Sequence, residues 1–213
     1  MAFQRERLQA DAFVPSWVRH EHHARYAFAS GYCGGKAVVD CACGDGAGSA
    51  VFAGAGAASV RAFDASEETI AGARARAEGS NVHFAVAPAG RLPLQDACAD
   101  VYVCLETIEH VEDDKALLSE AARVLKPDGI FLCSTPNRIV TNPGMSAGDK
   151  PWNRFHVREY SRGEFAGLLD LDPWLFSCLF EVVDGVDINV KADQEKLAES
   201  AAKFIPGLGL ALQ

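Results

Sequence analysis

Five short apolar runs limit the architecture of this chain more than any other feature. They lie at 37–41 (AVVDC), 59–63 (SVRAF), 82–86 (VHFAV), 100–104 (DVYVC) and 130–134 (IFLCS). Apolar side chains follow one another in these runs without strict alternation, as in strands buried on both faces of a parallel sheet. The segments between them read as helices. One opens at Ser66, an N-cap residue type, with Glu67 and Glu68 in the first turn where the helix dipole favours negative charge. Another spans 113–125, with Leu117, Ala121 and Leu125 on one face, and Lys126-Pro127-Asp128-Gly129 stops it. Strand and helix in alternation, with short links, predict βαβ units in a three-layer α/β sandwich.

Three segments stand outside the alternation. Residues 1–36 form a helical lead-in that carries His20, His22, His23, Arg25 and Tyr26. Residues 136–160 are a polar connection rich in Pro, Gly and Asn, and a connection of that length is usually a lid or binding loop. It ends at Ser161-Arg162-Gly163-Glu164, a capping box opening a helix with Phe165, Leu168 and Leu169. Residues 178–190 hold two strand-like runs around Asp184-Gly185, an antiparallel hairpin signal, before a last amphipathic helix with Leu197, Ala201 and Phe204. With no repeat and no linker, residues 1–213 read as a single domain.

Composition narrows the partners. Hydrophobic residues at 49% and charged residues at 23% exclude a disordered or collagen-like chain. A formal charge of −9 argues against an extended nucleic-acid surface, which needs Lys and Arg to neutralise phosphates. No apolar run approaches the roughly 20 residues of a membrane span, and the first residues lack a signal-like core, so the expected location is the cytoplasm. The odd count of seven cysteines, several inside the apolar runs, fits reduced, buried thiols.

The densest local signal is Val38-Val39-Asp40-Cys41-Ala42-Cys43-Gly44-Asp45-Gly46-Ala47-Gly48: a buried strand, an acid, a glycine-rich turn, then a helix. Glycines there let the backbone approach a ligand at the carboxyl edge of the sheet. The next strand ends at Asp64, where a carboxylate can accept bonds from a ribose diol. A dinucleotide fingerprint would need glycine at position 49, which is Ser49, and Asp40 would repel a pyrophosphate. That carboxylate suits a ligand bearing an ammonium and a sulfonium.

Asp40-x-x-Cys43-Gly44-x-Gly46, Asp64, Leu92-Pro93 followed by Asp100, and Arg123-Val124-Leu125-Lys126-Pro127-Asp128-Gly129 together resemble the class I S-adenosylmethionine-dependent methyltransferases over residues 22–169. The resemblance implies a Rossmann-like sandwich with a mostly parallel seven-stranded sheet, the hairpin at its end. It implies that Gly44 and Gly46 approach the methionine part of S-adenosylmethionine, that Asp64 binds the ribose, and that Asp40 faces the amino group. Arg25 and Tyr26 would meet the cofactor carboxylate, backbone near Ala89 would hold the adenine, and Cys43 and Glu106 complete the cofactor-side set. The sequence departs from the family at Ala87-Pro88-Ala89, where many members carry an acid for the adenine amino group.

The fourth run continues as Leu105-Glu106-Thr107-Ile108-Glu109-His110-Val111. Two carboxylates and an imidazole can hold a hard cation such as Mg²⁺ or Mn²⁺, or simply begin a helix. With Thr135-Pro136-Asn137 and His156 the pattern resembles the 3′-terminal 2′-O-methyltransferases of small RNAs. Thr-Pro-Asn and Phe-His-Val-Arg-Glu are also similar to bacterial methyltransferases of polysaccharides and glycans. The first resemblance implies Glu106, Glu109, His110 and His156 as metal ligands; both imply methylation of a sugar hydroxyl. A hydroxyl needs its proton removed, so His156, His110 and Glu109 are the candidate catalytic residues, His156 first as base or fourth ligand. Trp152 and Arg154 are candidates for the acceptor side. The leading expectation is O-methylation of a saccharide or other small acceptor. The alternatives are a metal-free O- or N-methyltransferase of a small metabolite, an RNA-end enzyme, and a non-catalytic partner subunit; a homo-oligomer is open.

Overall fold

The computed structural model describes residues 16–77, 81–170, 178–182 and 186–190. Its centre is a parallel sheet of β1 (Ala37–Cys41), β2 (Ser59–Asp64), β3 (Val82–Val86), β4 (Ala99–Leu105) and β5 (Leu125–Pro136). The order across these strands is β3-β2-β1-β4-β5, with in-line pairs such as Val39 beside Arg61 and Tyr102. The chain order reverses between β1 and β4, and ligands of open α/β sheets bind beyond the carboxyl ends at such a switch point.

Double-sided burial explains the unbroken apolar runs. Val38, Val60, Ala62, Val101, Val103 and Leu132 face one helical layer, with Ala29 of α1 (Ser16–Ser30), Phe52 of α2 (Ala47–Gly54), and Ile70 and Ala73 of α3 (Glu67–Arg76). Val39, Cys41, Tyr102, Cys104, Phe131 and Cys133 face the other. They pack on Leu117, Ala121 and Val124 of α4 (Asp114–Val124) and on residues that follow the short α5 (Arg138–Thr141), including Phe165 and Leu169 of α6 (Arg162–Asp170). Tyr102 and Phe131 meet edge to face at 5.7 Å.

The caps form as their residue types require. The Ser66 hydroxyl accepts from Thr69 N–H at 3.2 Å, and the Asp113 carboxylate from Ala116 N–H at 2.9 Å. Ser161 and Glu164 exchange bonds reciprocally, the Ser161 N–H donating to Glu164 at 2.7 Å and the Glu164 N–H to Ser161 Oγ at 3.3 Å. The free cysteines Cys33, Cys41, Cys43, Cys98, Cys104 and Cys133 are buried or half-buried. No helix of the described residues is long and apolar enough to cross a membrane.

Two expectations change. The strand expected at 130–134 begins at Leu125, directly after α4, because Ala99 pairs with Leu125 before the register shifts to Val101 with Ile130. The connection at 136–160 is more ordered than its composition suggests. Asn137 caps the one-turn α5 through Ile139 N–H, and Arg138 reaches Glu164 at 2.6 Å. Residues 178–182 and 186–190 are extended. The expected turn at Asp184-Gly185, the closing helix with Leu197, Ala201 and Phe204, and residues 1–15 lie outside the described residues.

Candidate active site

The glycine-rich turn and the ends of β1 and β2 form one wall of the site. Gly44 has a left-handed φ of +56°, and a side chain there would point into open space. Its N–H donates to Asp64 Oδ2 at 3.2 Å, while Ser66 N–H donates to Asp64 Oδ1 at 2.9 Å. Gly46 caps α2 at φ +85°, and a Cβ would lie 2.8 Å from the Phe84 ring. At Gly48 a Cβ would meet the Tyr26 ring at 2.7 Å, so α1 sits directly on the start of α2. Ala42 occupies the same left-handed region, φ +59°, with a side chain that pays for it. That region costs an L-residue roughly 1–2 kcal/mol. Ala42→Gly is expected to raise stability by about 1 kcal/mol, read as a higher denaturant midpoint at unchanged slope; a lower midpoint would show that the methyl group packs usefully.

Asp40 is buried at the end of β1, and Ser49 Oγ donates to its Oδ2 at 2.5 Å. Burial first, then the Asp64 carboxylate, push its pKa up to about 7 from 3.8, against the Ser49 bond. The folded protein therefore holds a proton that the unfolded chain releases near pH 4. This contribution to stability is complete below that pH and is lost as pH rises through about 7. The melting temperature of Asp40→Asn, measured at about pH 5 and about pH 7.5, is expected to gain on the wild type as pH rises. A gap that stays constant between the two would contradict the buried proton.

The second wall is built by the ends of β4 and β5. Glu106 leaves β4 at φ +49°, a left-handed conformation that turns its side chain back across the sheet edge. Ser134 Oγ donates to Glu106 Oε1 at 2.7 Å, and the Arg25 guanidinium lies 3.4 Å from Oε2. Glu109 follows in a single 3₁₀ turn (Ile108–His110) and is fully buried. Thr135 Oγ1 donates to its Oε2 at 2.9 Å, and His110 Nε2 lies 3.8 Å from its Oε1. Burial and the Glu106 carboxylate push the Glu109 pKa up. His110 Nδ1 is 3.1 Å from the Phe155 carbonyl oxygen, and Val157 N–H donates to the Glu109 carbonyl oxygen at 2.8 Å. These bonds carry the 136–160 connection over the end of β4. His156 thereby stands edge to face with His110, ring centroids 4.8 Å apart.

His156 Nδ1 lies 2.5 Å from Glu159 Oε1, and Nε2 lies 2.9 Å from Asn153 Nδ2. Glu159 is buried and also accepts from Asn142 Nδ2 at 2.5 Å and from Thr141 Oγ1. Glu109, His110 and His156 can each offer one ligand atom within 4.8 Å of the others, a set able to hold a hard divalent cation. Trp152 is 66% exposed on the same connection, with Ile139 and Val140 also exposed. Arg154 stacks on Phe155 at 4.7 Å.

Three expected site residues are placed as follows. Glu106 is not in the converging ligand set, because its left-handed backbone aims it at Ser134 and Arg25. Arg25, expected to meet the cofactor carboxylate, has its guanidinium 3.4 Å from Glu106 Oε2. Cys43 packs with Phe52 and Val60, its thiol 3.7 Å from the Gly44 carbonyl oxygen, while its N–H and carbonyl bond Phe63 and Gly46. Tyr26 covers α2 and meets Phe52 edge on, with burial and Asp40 raising its pKa. Ala89 is half-buried beside exposed Pro88, leaving main-chain groups alone in the acid's usual place. Ser49, Ser134, Asn142, Asn153 and Glu159 were not expected as site residues; the buried carboxylate of Glu159 in a polar run carries no local sequence signal.

Residues 39–133 match the methyltransferase domain family. A protein of Mycolicibacterium smegmatis, named a probable S-adenosylmethionine-dependent methyltransferase, is 39% identical over 154 residues, 72% of this chain and 57% of the relative. The ubiquinone/menaquinone biosynthesis C-methyltransferase UbiE of Caulobacter vibrioides is 38% identical over 125 residues, 54% of this chain and 50% of the relative. The chain thus spans little more than half the length of these relatives. The PH0226 protein of Pyrococcus horikoshii shares the fold, with a TM-score of 0.68 at 23% identity over 84% of this chain and 92% of that one. Over residues 39–133 the chain is thus similar to the methyltransferase domain, and over most of its length to proteins named as probable S-adenosylmethionine-dependent methyltransferases.

Proposed function

We propose that this chain transfers a methyl group from S-adenosylmethionine to a hydroxyl oxygen, most simply that of a saccharide. The observation that carries the reading is the convergence of Glu109, His110 and His156 beyond the end of β4, the strand that pairs with β1. The cofactor side fits: open space over Gly44, a buried acceptor in Asp64, and a buried acid at Asp40 whose ionised form a cationic ligand would favour. When bound, S-adenosylmethionine supplies an electrophilic methyl group on a sulfonium. The chain's own task is to hold the acceptor oxygen in line and take its proton. His156 Nε2 is the proton-accepting atom, once Asn153 yields its place to the acceptor. Glu106, held by Ser134 and Arg25, lines the cofactor edge. The same reading joins 178–182 and 186–190 to the free edge of β5 as an antiparallel pair, giving a seven-stranded sheet.

The 4.8 Å ligand set supports a metal-assisted version, in which Glu109, His110 and His156 hold Mg²⁺ or Mn²⁺. The cation would make a bound hydroxyl more acidic. His156 cannot use Nε2 both for the metal and for the proton. A second acceptor class is favoured by exposed Ile139, Val140 and Trp152: a phenol or quinol with an apolar body. Methyl-labelled cofactor incubated with saccharide fractions and with phenols and quinols, with and without chelator, separates these readings. Label in the saccharides supports the proposal, label only in the phenols and quinols replaces it, and loss on chelation selects the metal-assisted version. No transfer to either class, with intact cofactor binding, would overturn the O-methyltransferase reading.

A further inference from the structure

We propose that Glu159 is a positioning residue that locks His156 in the Nδ1–H tautomer, leaving Nε2 as its proton-accepting atom; this deepens, and rests on, the reading of His156 as the base. The lock follows from two side-chain amides whose orientations are each pinned by a backbone N–H. Asn153 Oδ1 accepts from Phe155 N–H at 3.1 Å, so its other end, 2.9 Å from His156 Nε2, is the amide nitrogen. An amide nitrogen only donates, so Nε2 accepts and the ring proton sits on Nδ1. There it donates to Glu159 Oε1 at 2.5 Å. On the far side, Asn142 Oδ1 accepts from Trp152 N–H at 2.6 Å, which turns Asn142 Nδ2 toward Glu159 Oε2 at 2.5 Å. The Glu159 side chain is 1% exposed and accepts on both oxygens. The donor–acceptor sequence from Trp152 N–H through Asn142, Glu159, His156 and Asn153 to Phe155 N–H is thus consistent with one imidazole tautomer only.

The chain of donors predicts an asymmetric response to substitution. In Glu159→Gln the new amide faces a fixed donor at Asn142, so its oxygen turns there and its NH₂ turns to His156. Nδ1 must then accept, and the ring proton moves to Nε2 as Asn153 turns its oxygen to the imidazole and gives up its bond from Phe155 N–H. Adding Asn142→Asp reverses this, because an aspartate accepts from both Trp152 N–H and the NH₂ of the introduced glutamine, returning the glutamine oxygen to the imidazole. A simple filler role for Glu159 gives no such reversal.

The test is nitrogen NMR of ¹⁵N-histidine-labelled protein without cofactor, with the His156 signals identified by their loss in His156→Gln. Wild type and the double variant are expected to show a non-protonated Nε2, and Glu159→Gln a non-protonated Nδ1. In a transfer assay, Glu159→Gln is expected to lose on the order of 100-fold in kcat with KM for the cofactor unchanged, and the double variant to recover much of it. A wild-type protein whose neutral His156 carries its proton on Nε2 overturns the proposal outright, whether or not the variants fold. An unchanged tautomer in a folded Glu159→Gln, or a double variant that stays on Nε2–H, overturns it too. Calorimetry with S-adenosylhomocysteine keeps the underlying reading separate: no binding by wild type defeats the methyltransferase reading, while the NMR still decides the tautomer.

Discussion

His156→Gln is expected to slow methyl transfer by about 10³-fold while S-adenosylhomocysteine binds within about twofold of wild type. The split follows from where His156 stands. It belongs to the connection laid over the end of β4, and its ring packs against His110. Its removal therefore leaves Asp40, Gly44 and Asp64 untouched. Glutamine is the informative replacement because its NH₂ can still donate to Glu159, whose buried carboxylate would otherwise lose a partner at a cost of about 1–3 kcal/mol. Alanine would mix that loss of stability with the loss of a base. Steady-state rates and calorimetry on the same samples decide the matter. Transfer within about tenfold of wild type would remove His156 from the chemistry and pass the role to His110.

The sequence was most readable where structure depends on local pattern. The runs at 37–41 and 82–86 coincide with β1 and β3, β1 apolar and buried almost throughout inside the sheet, edge strand β3 alternating buried Val82 and Phe84 with exposed His83 and Val86. Ser66, Asp113 and the Ser161–Glu164 pair cap as their residue types dictate. Legibility fails where a side chain's direction is set by backbone that its own identity does not announce. A glutamate at φ +49° gives no signal, so Glu106 looked like the first of a ligand row although it turns away to Ser134 and Arg25. Ala42 is the same case in the glycine-rich turn.

The 136–160 connection shows the other kind of failure. Its order comes from bonds that join distant positions: Arg138 to Glu164, Asn142 to Glu159, and Arg158 to Asp114 at 2.5 Å. None of them has a period along the chain. Proline, glycine and asparagine in this stretch correctly signal that regular structure is scarce. They do not reveal that a buried carboxylate at Glu159 organises what is there, or that His110 and His156 meet ring against ring. His156 itself was legible by resemblance, its supporting residues only by structure.

Asp64→Ala is expected to weaken S-adenosylhomocysteine binding on the order of 100-fold or more, with a smaller loss of stability. Two separate losses contribute. A carboxylate accepting from a ribose hydroxyl forms charge-assisted bonds worth roughly 1.5–3 kcal/mol each, and two such bonds suffice for 100-fold. The same carboxylate holds the N–H groups of Gly44 and Ser66, so alanine also frees the glycine-rich turn from the end of β2. Asp64→Asn separates the two. Its single oxygen can satisfy one of these N–H groups but not both, and its NH₂ faces the other, so the turn loosens while the side chain keeps its size. If the main role of Asp64 is to hold the turn, asparagine and alanine weaken binding and stability in proportion. If its role is to accept from the cofactor, the loss of affinity exceeds the loss of stability in both variants. Ribose-modified analogues then give the sharper reading: a 2′-deoxy compound should already bind weakly to wild type and lose little more on Asp64→Ala. A full additional loss for the deoxy compound would place the ribose elsewhere and leave Asp64 as a brace between Gly44 and the start of α3.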